Sequence, residues 1–467
     1  MEKLVQDDWV VKVNDEVDQM KHRSIEEIEQ HWKKRSIYRL PASITELNKR
    51  AYKPQVVSFG PFHHGQPHLQ SMEAHKHRAF LIFLKRSNKP VEYFMESLAP
   101  LFEDLKSSYD FLDRQQDTDL FLKLLILDGC FMLEILRMSA STDGFYQHHT
   151  WNATSSADLY DDDNFVADYA PNDPIFSNHG KLYIMPYIKR DMLMLENQLP
   201  MMLLQNLLAI QNDRPTHEEF LNYHMVKFYS PDIPVPNLGE CLHLLDVYRK
   251  SLLFDHRPHK FRRARPYNSN EEIIRSAMEL NEAGIRFKTS RTTSLKDISF
   301  HSGVLRLPRI VVDDTTEAMF LNLIAFERFH VGAGNEVTAY VFFMDNIIDN
   351  AKDVNLLHLQ GIIQNAVGSD KAVAKLFNSL SKDITLDPDS SLDIVHKSVH
   401  NYCKKPWNEW RANLIHTYFR SPWAICSVFA AFLLFALTII QTIYTVVPYY
   451  EQDPPLPTPP PPHFRQN

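Results

Sequence analysis

Residues 423–447 read WAICSVFAAFLLFALTIIQTIYTVV and contain no charged side chain. In a helix that rises about 1.5 Å per residue, about 25 residues span roughly 37 Å, which exceeds a hydrocarbon core of about 30 Å. A helix also pairs its own backbone amides, as the bilayer interior requires. The alternative is a buried helix of a soluble protein, but such helices are seldom this long and wholly uncharged. The stretch therefore predicts one transmembrane helix, residues 423–447.

The charges on the two sides of this segment predict its orientation. Basic residues precede it, whereas Glu451 and Asp453 follow it. The basic residues are Lys397, Lys404, Lys405, Arg411 and Arg420. Because such residues favour the cytosolic side of a membrane, we expect a single-pass protein with its N-terminal body in the cytosol. The plasma membrane is the expected location.

Two residues bear on covalent modification. Cys426 lies about one turn inside the cytosolic end of the apolar segment, where S-acylation occurs, so it is a candidate acylation site, with an ordinary lipid-facing cysteine as the alternative. Asn152 begins the sequon Asn-Ala-Thr. If the body is cytosolic, this sequon is expected to stay unused.

The rest of the chain has the composition of a globular protein. Of its 467 residues 44% are hydrophobic and 23% charged, so it should bury a core. Only 12 residues are glycine, which argues against phosphate-binding loops and a turn-rich all-β fold. The net charge of -8 argues against nucleic acid as a partner. Four scattered cysteines form neither a disulfide framework nor a zinc pattern, as is typical of a reducing compartment.

Helical patterns dominate the body and predict a mainly α fold. Ser24 and Glu27 have the spacing of a capping box at a helix start. Residues 121–136 are apolar nearly all round and predict a central buried helix. Pro200 should kink the apolar stretch 192–210 or begin a new helix within it.

One region departs from helical periodicity. Residues 285–313 alternate apolar and polar side chains and predict a small antiparallel β element, with a turn at Ser302-Gly303. Asp314 is expected to cap the helix that follows.

The domain organisation predicted from these patterns has four parts. They are an N-terminal helical extension over residues 1–36, a helical domain over 37–420, the transmembrane helix over 423–447 and a proline-rich tail over 448–467. Within the helical domain, the acidic stretch 139–180 and the basic stretch 254–270 are expected to be flexible exposed loops. The tail is rich in proline and is expected to form polyproline II, as a semi-rigid spacer or a ligand for an aromatic groove, or to be unstructured.

No catalytic or cofactor motif stands out, and the prediction is no catalytic residues, no cofactor and no metal. The strongest metal candidate is a histidine-rich segment, but it lacks the spacing of a zinc site. Its histidines are His63, His64, His68, His75 and His77. Ordinary hydrogen bonds are the expected role of these side chains, with metal binding as the alternative.

A polar cluster lies within the apolar stretch RDMLMLENQLP, residues 190–200. It consists of Asp191, Glu196, Asn197 and Gln198. Polar groups among Met and Leu should not be left unpaired, so they either line a ligand pocket or hydrogen-bond to backbone and fix one packing arrangement. The second interpretation is favoured, and the same holds for Asp128 in LILDGCF.

Several segments in order resemble a plant family. They include LILDGCFMLEIL, DMLMLENQLP, SLKDISFHSGVLRLPRIVVDD and PWAICSVFAAFLLF. The resemblance runs from about residue 37 to residue 449 and is to the membrane-anchored family called domain of unknown function 247, also grouped as UPF0481. It implies a C-terminal membrane helix and carries over no catalytic residues. Some grass members are implicated as pollen-side determinants of self-incompatibility, so the resemblance also suggests a self-recognition role.

Three functions are compatible with these observations. The leading hypothesis is a recognition or signalling protein that acts through protein contacts at a plant membrane, with the lipid bilayer and an unidentified protein as partners. A membrane-tethered enzyme with an unrecognised active site is the alternative from another class. It would show a deep pocket converging on Asp191 and Glu196 or on the histidine-rich segment. A structural scaffold is the third and would show self-association.

Overall fold

The computed structural model describes residues 8–22, 24–110, 117–140, 168–254, 275–382, 392–408, 410–411 and 422–450. Contacts divide the chain into two units. The first comprises residues 1–278 and 286–400, and the second comprises residues 279–285 and 401–467. Most of the described residues are helical, which confirms the predicted fold class.

The helices are numbered in chain order. Up to residue 140 they are α1 (Asp8–His22), α2 (Ile25–Lys34), α3 (Ala42–Thr45), α4 (Lys49–Tyr52), α5 (Gln70–Ser87), α6 (Val91–Leu98), α7 (Phe102–Ser107) and α8 (Thr118–Ala140). From residue 178 to residue 282 they are α9 (Asn178–Tyr183), α10 (Met185–Met192), α11 (Met201–Asn212), α12 (Glu218–Tyr229), α13 (Leu244–Leu253) and α14 (Ala277–Glu282).

The remaining helices follow the first four strands. They are α15 (Thr316–Phe329), α16 (Glu336–Ile347), α17 (Ala351–Leu359), α18 (Asp370–Leu380), α19 (Asp393–Cys403) and α20 (Pro422–Tyr450). Short 3-10 turns span Pro67–Leu69, Ala99–Leu101 and Leu195–Asn197. The strands are β1 (Arg286–Thr289), β2 (Ser299–His301), β3 (Val304–Leu307), β4 (Ile310–Val312) and β5 (Ile363–Asn365).

Local capping signals explain where several helices begin. The Ser24 hydroxyl accepts the Glu27 N–H at 3.1 Å and the Glu27 carboxylate accepts the Ser24 N–H at 3.0 Å, so the predicted capping box at α2 is confirmed. Pro200 precedes α11 as its N-cap and so begins a new helix, one of the two predicted outcomes.

The predicted capping of α15 by Asp314 is wrong, because the N-cap residue is Thr315 and its side chain makes no capping hydrogen bond. Asp313, rather than Asp314, receives the Thr315 N–H at 2.9 Å and the Thr316 hydroxyl at 2.9 Å. The Thr316 hydroxyl in turn accepts the Asp313 N–H at 2.9 Å. The two threonines after Asp313 supply the donors that its carboxylate needs, and this side-chain ring ends strand β4 and starts the helix.

Helix α8 is the central helix of the first unit, as its all-round apolar pattern predicts. It packs against α5, α11 and α12. Gly129 in its middle allows α11 to approach closely, because a Cβ atom there would lie 2.4 Å from Leu207 Cδ1. The buried side chains of the helix include Leu125, Phe131, Leu133, Ile135 and Leu136.

The β structure consists of two small sheets. In the first, β2 and β3 form an antiparallel hairpin and β1 adds to β3 in parallel, so the sheet is mixed rather than wholly antiparallel. Ser302 and Gly303 both have positive φ, which matches the predicted two-residue hairpin turn. In the second sheet β4 pairs in parallel with β5, a strand outside the predicted β region.

The predicted loop 139–180 is packed at its C-terminal end. Residues 141–167 lie outside the described residues, but Tyr169, Ile175 and Phe176 are buried, so residues 168–180 contribute apolar side chains to the core. The apolar side chains here are spaced irregularly within an acidic stretch, so the sequence pattern does not predict that they are buried. Of the predicted loop 254–270, only Phe254 is described.

In the second unit, α20 spans Pro422–Tyr450. Within the described ranges it is the one helix long and apolar enough to cross a membrane. None of its most apolar part, Phe429–Val447, is buried. The predicted segment 423–447 lies wholly inside this helix. The tail from residue 451 onward lies outside the described residues.

Candidate functional site

The polar cluster predicted at residues 191–198 is buried, and it holds one stretch of backbone, residues 55–60. Asp191 Oδ2 accepts three successive N–H groups, from Gln55 at 2.9 Å, Val56 at 2.7 Å and Val57 at 3.1 Å. Asp191 lies at the end of α10, and its Oδ1 atom pairs with Arg190 at 3.1 Å. Burial raises the pKa of Asp191, while the three N–H donors and Arg190 oppose that rise. The carboxylate therefore takes the place of a neighbouring strand.

Asn197 continues the same pairing. Its Oδ1 atom accepts the Phe59 N–H at 2.7 Å, and its Nδ2 atom donates to the Val57 carbonyl at 3.0 Å and the Asp191 carbonyl at 2.9 Å. Asn197 has no exposed surface. All of its side-chain groups are thus used to join the 55–60 segment to the turn after α10.

Gln198 secures the turn itself. Its Nε2 atom donates to the carbonyls of Met192 and Met194 at 2.6 and 2.7 Å. Its Oε1 atom accepts the Leu245 N–H at 3.0 Å, one of the unpaired donors in the first turn of α13. The side chain therefore links the turn after α10 to the start of α13.

Glu196 is the least buried member of the cluster. It accepts the Leu40 N–H at 2.6 Å, and its other oxygen lies 3.1 Å from His63 Nε2. His63 Nδ1 lies 2.9 Å from the Gln66 side-chain amide. Glu196 thus connects the residues before α3 with the first histidine of the histidine-rich segment.

Asp128 extends the arrangement from α8. Its Oδ2 atom accepts the Gly60 N–H at 2.8 Å, and its Oδ1 atom lies 2.7 Å from Lys76 Nζ. Burial raises the pKa of Asp128, and the neighbouring Lys76 opposes that rise. Lys76 also donates to Ser58 Oγ at 3.2 Å, so this pair holds the far end of the 55–60 segment.

Asn322 was missed by sequence reasoning although it belongs to the same arrangement. It lies on α15, where its amide donates to the carbonyls of Ala51 and Ala318, both at 2.8 Å, and accepts the Leu195 N–H at 2.9 Å. A polar amide within the apolar run MFLNLIAF was the available signal. Lys76 gave no such signal, because its sequence neighbours are themselves charged or polar.

The side chains of the polar cluster pair mainly with backbone groups. Asp191, Asn197 and Gln198 bind backbone groups on several sides and are buried. A buried backbone segment without a partner strand would otherwise leave its N–H groups unpaired, at about 1–3 kcal/mol each. Of the two interpretations offered by the sequence, backbone pairing is the one that the contacts support.

A second buried polar network lies beside residue 168. Glu134 on α8 forms an ion pair with Arg86 and accepts the Tyr169 hydroxyl at 3.0 Å. Arg86 and Arg137 also contact Asp168, at 3.0 and 3.2 Å. Burial raises the pKa of Glu134 to about 7. This network joins α5 and α8 to the chain that resumes at Asp168.

The histidines of the candidate metal segment lie apart and have separate partners. His68 Nε2 lies 3.1 Å from the Pro54 carbonyl, and His75 Nδ1 lies 2.8 Å from an Arg78 nitrogen. Burial and Arg78 lower the pKa of His75. His64 and His77 are exposed. Among the described residues, no three His, Cys, Asp or Glu side chains converge as metal ligands would.

Of the two candidate modification sites, Cys426 lies in the part of the chain that the structure describes. Cys426 is exposed near the start of α20, whereas Cys130, Cys241 and Cys403 are buried. Burial raises the pKa of Cys130 well above its usual range, as expected for an inert thiol. Asn152 lies outside the described residues.

These features define a class of mainly helical protein that has a buried polar network in its first unit and, within the described residues, one apolar helix long enough to span a membrane. The chain belongs to the plant family DUF247, described as a plant protein of unknown function, whose model matches residues 37–437. The resemblance noted in the sequence is thereby confirmed.

Two curated proteins of Arabidopsis thaliana are similar to the chain over most of its length. UPF0481 protein At3g47200 is 29% identical over 451 residues, covering 88% of this chain and 86% of that protein. Putative UPF0481 protein At3g02645 is 21% identical over 536 residues, covering 93% of each. No solved structure matches the chain.

Proposed function

We propose that this protein is a single-pass protein of the plant plasma membrane, with its body in the cytosol, and that it acts in recognition or signalling through protein contacts. The observation that carries the anchoring is α20. Its apolar side chains are exposed over Phe429–Val447. Because each such side chain gains about 1.5–3 kcal/mol on leaving water, a lipid environment is the favourable one for this helix.

Residues of the second unit that precede α20 support the orientation. Trp407 and Trp410 are 77% and 73% exposed, and Lys404, Lys405 and Arg411 are also exposed. Tryptophan favours the membrane interface, and basic residues favour its cytosolic side. Both preferences are met if this stretch lies at the cytosolic surface.

The N-terminal helices support the part of the proposal that concerns protein contacts. Ile25 is 83% exposed, and Trp9, Met20 and Trp32 are each more than half exposed. Four large apolar side chains exposed on two consecutive helices are candidates for a protein–protein contact surface. Acidic residues accompany them in α1 and α2, so an anionic lipid surface is the less suitable partner.

The contacts of the polar cluster argue against the competing hypothesis of a tethered enzyme at this place. A catalytic group must reach its substrate within hydrogen-bond distance. The side chains of Asp191, Asn197 and Gln198 instead form hydrogen bonds with buried backbone groups. These bonds stabilise the fold.

Membrane anchoring can be tested with the full chain expressed in plant cells. We expect it in the membrane pellet after alkaline carbonate extraction, enriched with plasma-membrane markers. Epitopes at the two ends should differ in protease protection. In inside-out plasma-membrane vesicles, which expose the cytosolic face, we expect protease to digest the N-terminal epitope and to leave the C-terminal one intact. Recovery in the soluble fraction, or glycosylation at Asn152, would contradict the proposal.

The contact function can be tested by proximity labelling from the full chain. A variant with Trp9→Ser and Ile25→Ser should lose specific neighbours while remaining at the membrane. The matched control is Leu182→Ser with Tyr187→Ser, two exposed apolar side chains on α9 and α10. If all three proteins label the same neighbours, the N-terminal helices are not the contact surface.

A further inference from the structure

The serine, threonine and glutamine side chains of α20 lie on one face of the helix. They are Ser427, Thr438, Gln441, Thr442 and Thr445. Because each residue turns an α-helix by about 100°, all five fall within an arc of about 100°. The opposite face carries bulky apolar side chains, namely Phe429, Phe432, Ile439 and Ile443. In a membrane, one side of α20 is therefore suited to lipid chains, whereas the other side is polar.

The polar face also has the spacing of a helix–helix contact. Residues 427, 431, 434, 438, 441 and 445 follow one another at intervals of 4, 3, 4, 3 and 4, and we call them the polar seam. This heptad spacing is typical of two helices that coil around each other. Four of the six residues are Ser, Ala or Thr, which allow two helix backbones to approach closely in lipid.

Gln441 differs from the threonines of the polar seam in its hydrogen bonds. The Thr438 hydroxyl donates to the Leu434 carbonyl at 2.8 Å. The Thr445 hydroxyl donates to the Gln441 carbonyl at 3.0 Å. The side-chain amide of Gln441, by contrast, is exposed and has no hydrogen-bond partner among the described residues.

The depth of Gln441 makes this unpaired amide costly. The residue lies three positions, or about 4.5 Å, from the middle of Phe429–Val447, well inside a hydrocarbon core of about 30 Å. No water is available there to pair with the amide. A polar group buried without a hydrogen bond costs free energy, so a partner at this depth is favoured.

The partner of Gln441 comes from another molecule. Within the described residues α20 is the one helix that could cross a membrane, and the rest of the sequence has no uncharged stretch as long. A second copy of this chain carries the same polar seam at the same depth, because a single-pass protein has one orientation. A glutamine amide both donates and accepts, so two Gln441 side chains can bond to each other reciprocally.

We propose that α20 pairs in parallel with α20 of a second copy of this chain, with the two Gln441 side-chain amides hydrogen-bonded across the polar seam. The inference rests on the proposed membrane anchoring. The pairing uses none of the N-terminal residues proposed to contact a protein partner. Self-association therefore adds to that function and brings two such contact surfaces into one complex.

Disulfide crosslinking can map the paired face. The full chain with Cys426→Ser, whose other cysteines are buried, is reconstituted in phosphatidylcholine vesicles, and single added cysteines are oxidised with copper phenanthroline. Ala431→Cys and Thr445→Cys should form dimers, and reaction at both ends of the polar seam requires parallel helices. The matched controls Phe432→Cys and Val446→Cys are turned by about 100° and should form few. Equal dimer yields at all four positions, or dimers at none, would overturn the proposal.

Variants of Gln441 test its role in the pairing. Energy transfer between donor- and acceptor-labelled copies, followed as lipid is added, gives the dissociation constant. Gln441→Leu should raise this constant roughly tenfold, as loss of an interhelical hydrogen bond does, and the control Ile443→Leu on the opposite face should not change it. Ile440→Gln with Gln441→Ile keeps the composition of α20 but turns the amide by about 100°, so it should reduce the crosslink at Ala431→Cys. Association unchanged in both Gln441 variants would contradict the assignment.

Carbonate extraction of the same vesicles separates this inference from the anchoring on which it rests. We expect the chain to stay in the bilayer as a dimer. A chain that stays in the bilayer but is monomeric overturns the self-association alone. A chain that is released from the vesicles overturns the anchoring, and the pairing of α20 with it.

Discussion

Lys76 and Asp128 form an ion pair at 2.7 Å in which neither side chain is exposed. The pair joins α5 to α8, and each partner also contacts the 55–60 segment, Lys76 through Ser58 and Asp128 through Gly60. Such a pair is retained only where both charges are paired and hydrogen-bonded, because removal from water costs several kcal/mol per ion. The unpaired state of either residue is therefore far less stable than the pair.

Lys76→Met is expected to lower the free energy of unfolding by about 3–5 kcal/mol, because it leaves the Asp128 charge buried without its partner. The double variant Lys76→Met with Asp128→Asn should recover much of this loss, since no buried charge remains. Urea unfolding of the full chain in detergent, followed by circular dichroism, measures both. Lys85→Met, at an exposed lysine of the same helix, is the control and should be near neutral. Equal effects at the two lysines would contradict the assignment.

Asp191→Ala should also destabilise the protein by about 3–5 kcal/mol, because it leaves the N–H groups of Val56 and Val57 without an acceptor. Asp191→Asn keeps one oxygen acceptor and should lose less. The same urea unfolding experiment distinguishes the two, with Asp232→Ala at an exposed carboxylate as control. If the alanine and asparagine variants lose the same stability, backbone pairing is not the main role of Asp191.

Two glycines with similar backbone angles test the packing of the 55–60 segment. Gly60 and Gly65 have φ of +72° and +79°, but only at Gly60 would a Cβ atom meet a neighbour, Tyr109 Oη at 2.8 Å. Gly65→Ala should therefore cost about 1 kcal/mol from backbone strain alone. Gly60→Ala should cost a further 1–3 kcal/mol or so from overpacking. Thermal unfolding of both variants checks this difference, and equal losses would be unexpected.

Glu134 should make stability depend on pH. Burial raises its pKa from an ordinary 4.5 to about 7, so its contribution to stability is fully present below pH 4.5 and is lost as pH rises through 7. The loss is of the order of 3 kcal/mol. Urea unfolding at pH 5 and pH 8 should show a smaller difference in Glu134→Gln than in the wild type. In Glu92→Gln, an exposed glutamate, the difference should stay as in the wild type.

Charge placed in the middle of α20 should prevent membrane insertion. Leu434→Arg with Leu437→Arg adds about 2.5–3.5 kcal/mol per residue to the cost of insertion. We expect this variant in the soluble or aggregated fraction after carbonate extraction. The control pair Leu182→Arg with Leu359→Arg, at exposed leucines of the first unit, should remain in the membrane fraction. Membrane retention of the α20 variant would show that another part of the chain holds the protein there.

Helices and local turns were predictable because their signals lie within a few residues. The capping box of Ser24 and Glu27 and the turn at Ser302-Gly303 are examples. The pairing partners of the strands were harder to predict from the sequence. The pairing of β4 with Ile363–Asn365 brings together residues about 50 positions apart, and nothing in the short run IQN distinguishes it from a loop.

The polar cluster was predictable as a set of residues but without its partners. Asp191, Asn197 and Gln198 attract attention because polar groups rarely lie unpaired among apolar neighbours. Their partners, however, are backbone groups of residues such as Val57 and Leu245. Because every residue carries these backbone groups, the residue types do not indicate which ones will pair. Lys76 was missed for the opposite reason, since a lysine among charged residues is normally exposed.

The hydrogen bonds of Asp191 also impose an order on biosynthesis. Residues 55–57 bind a carboxylate that is encoded 134 to 136 positions later. At a translation rate of about 5–20 residues per second, roughly 7–27 seconds pass between the synthesis of the segment and that of its acceptor. During this interval the amides of residues 55–57 bond to water instead of to Asp191, so the segment can reach its native pairing only after residue 191 has been synthesised.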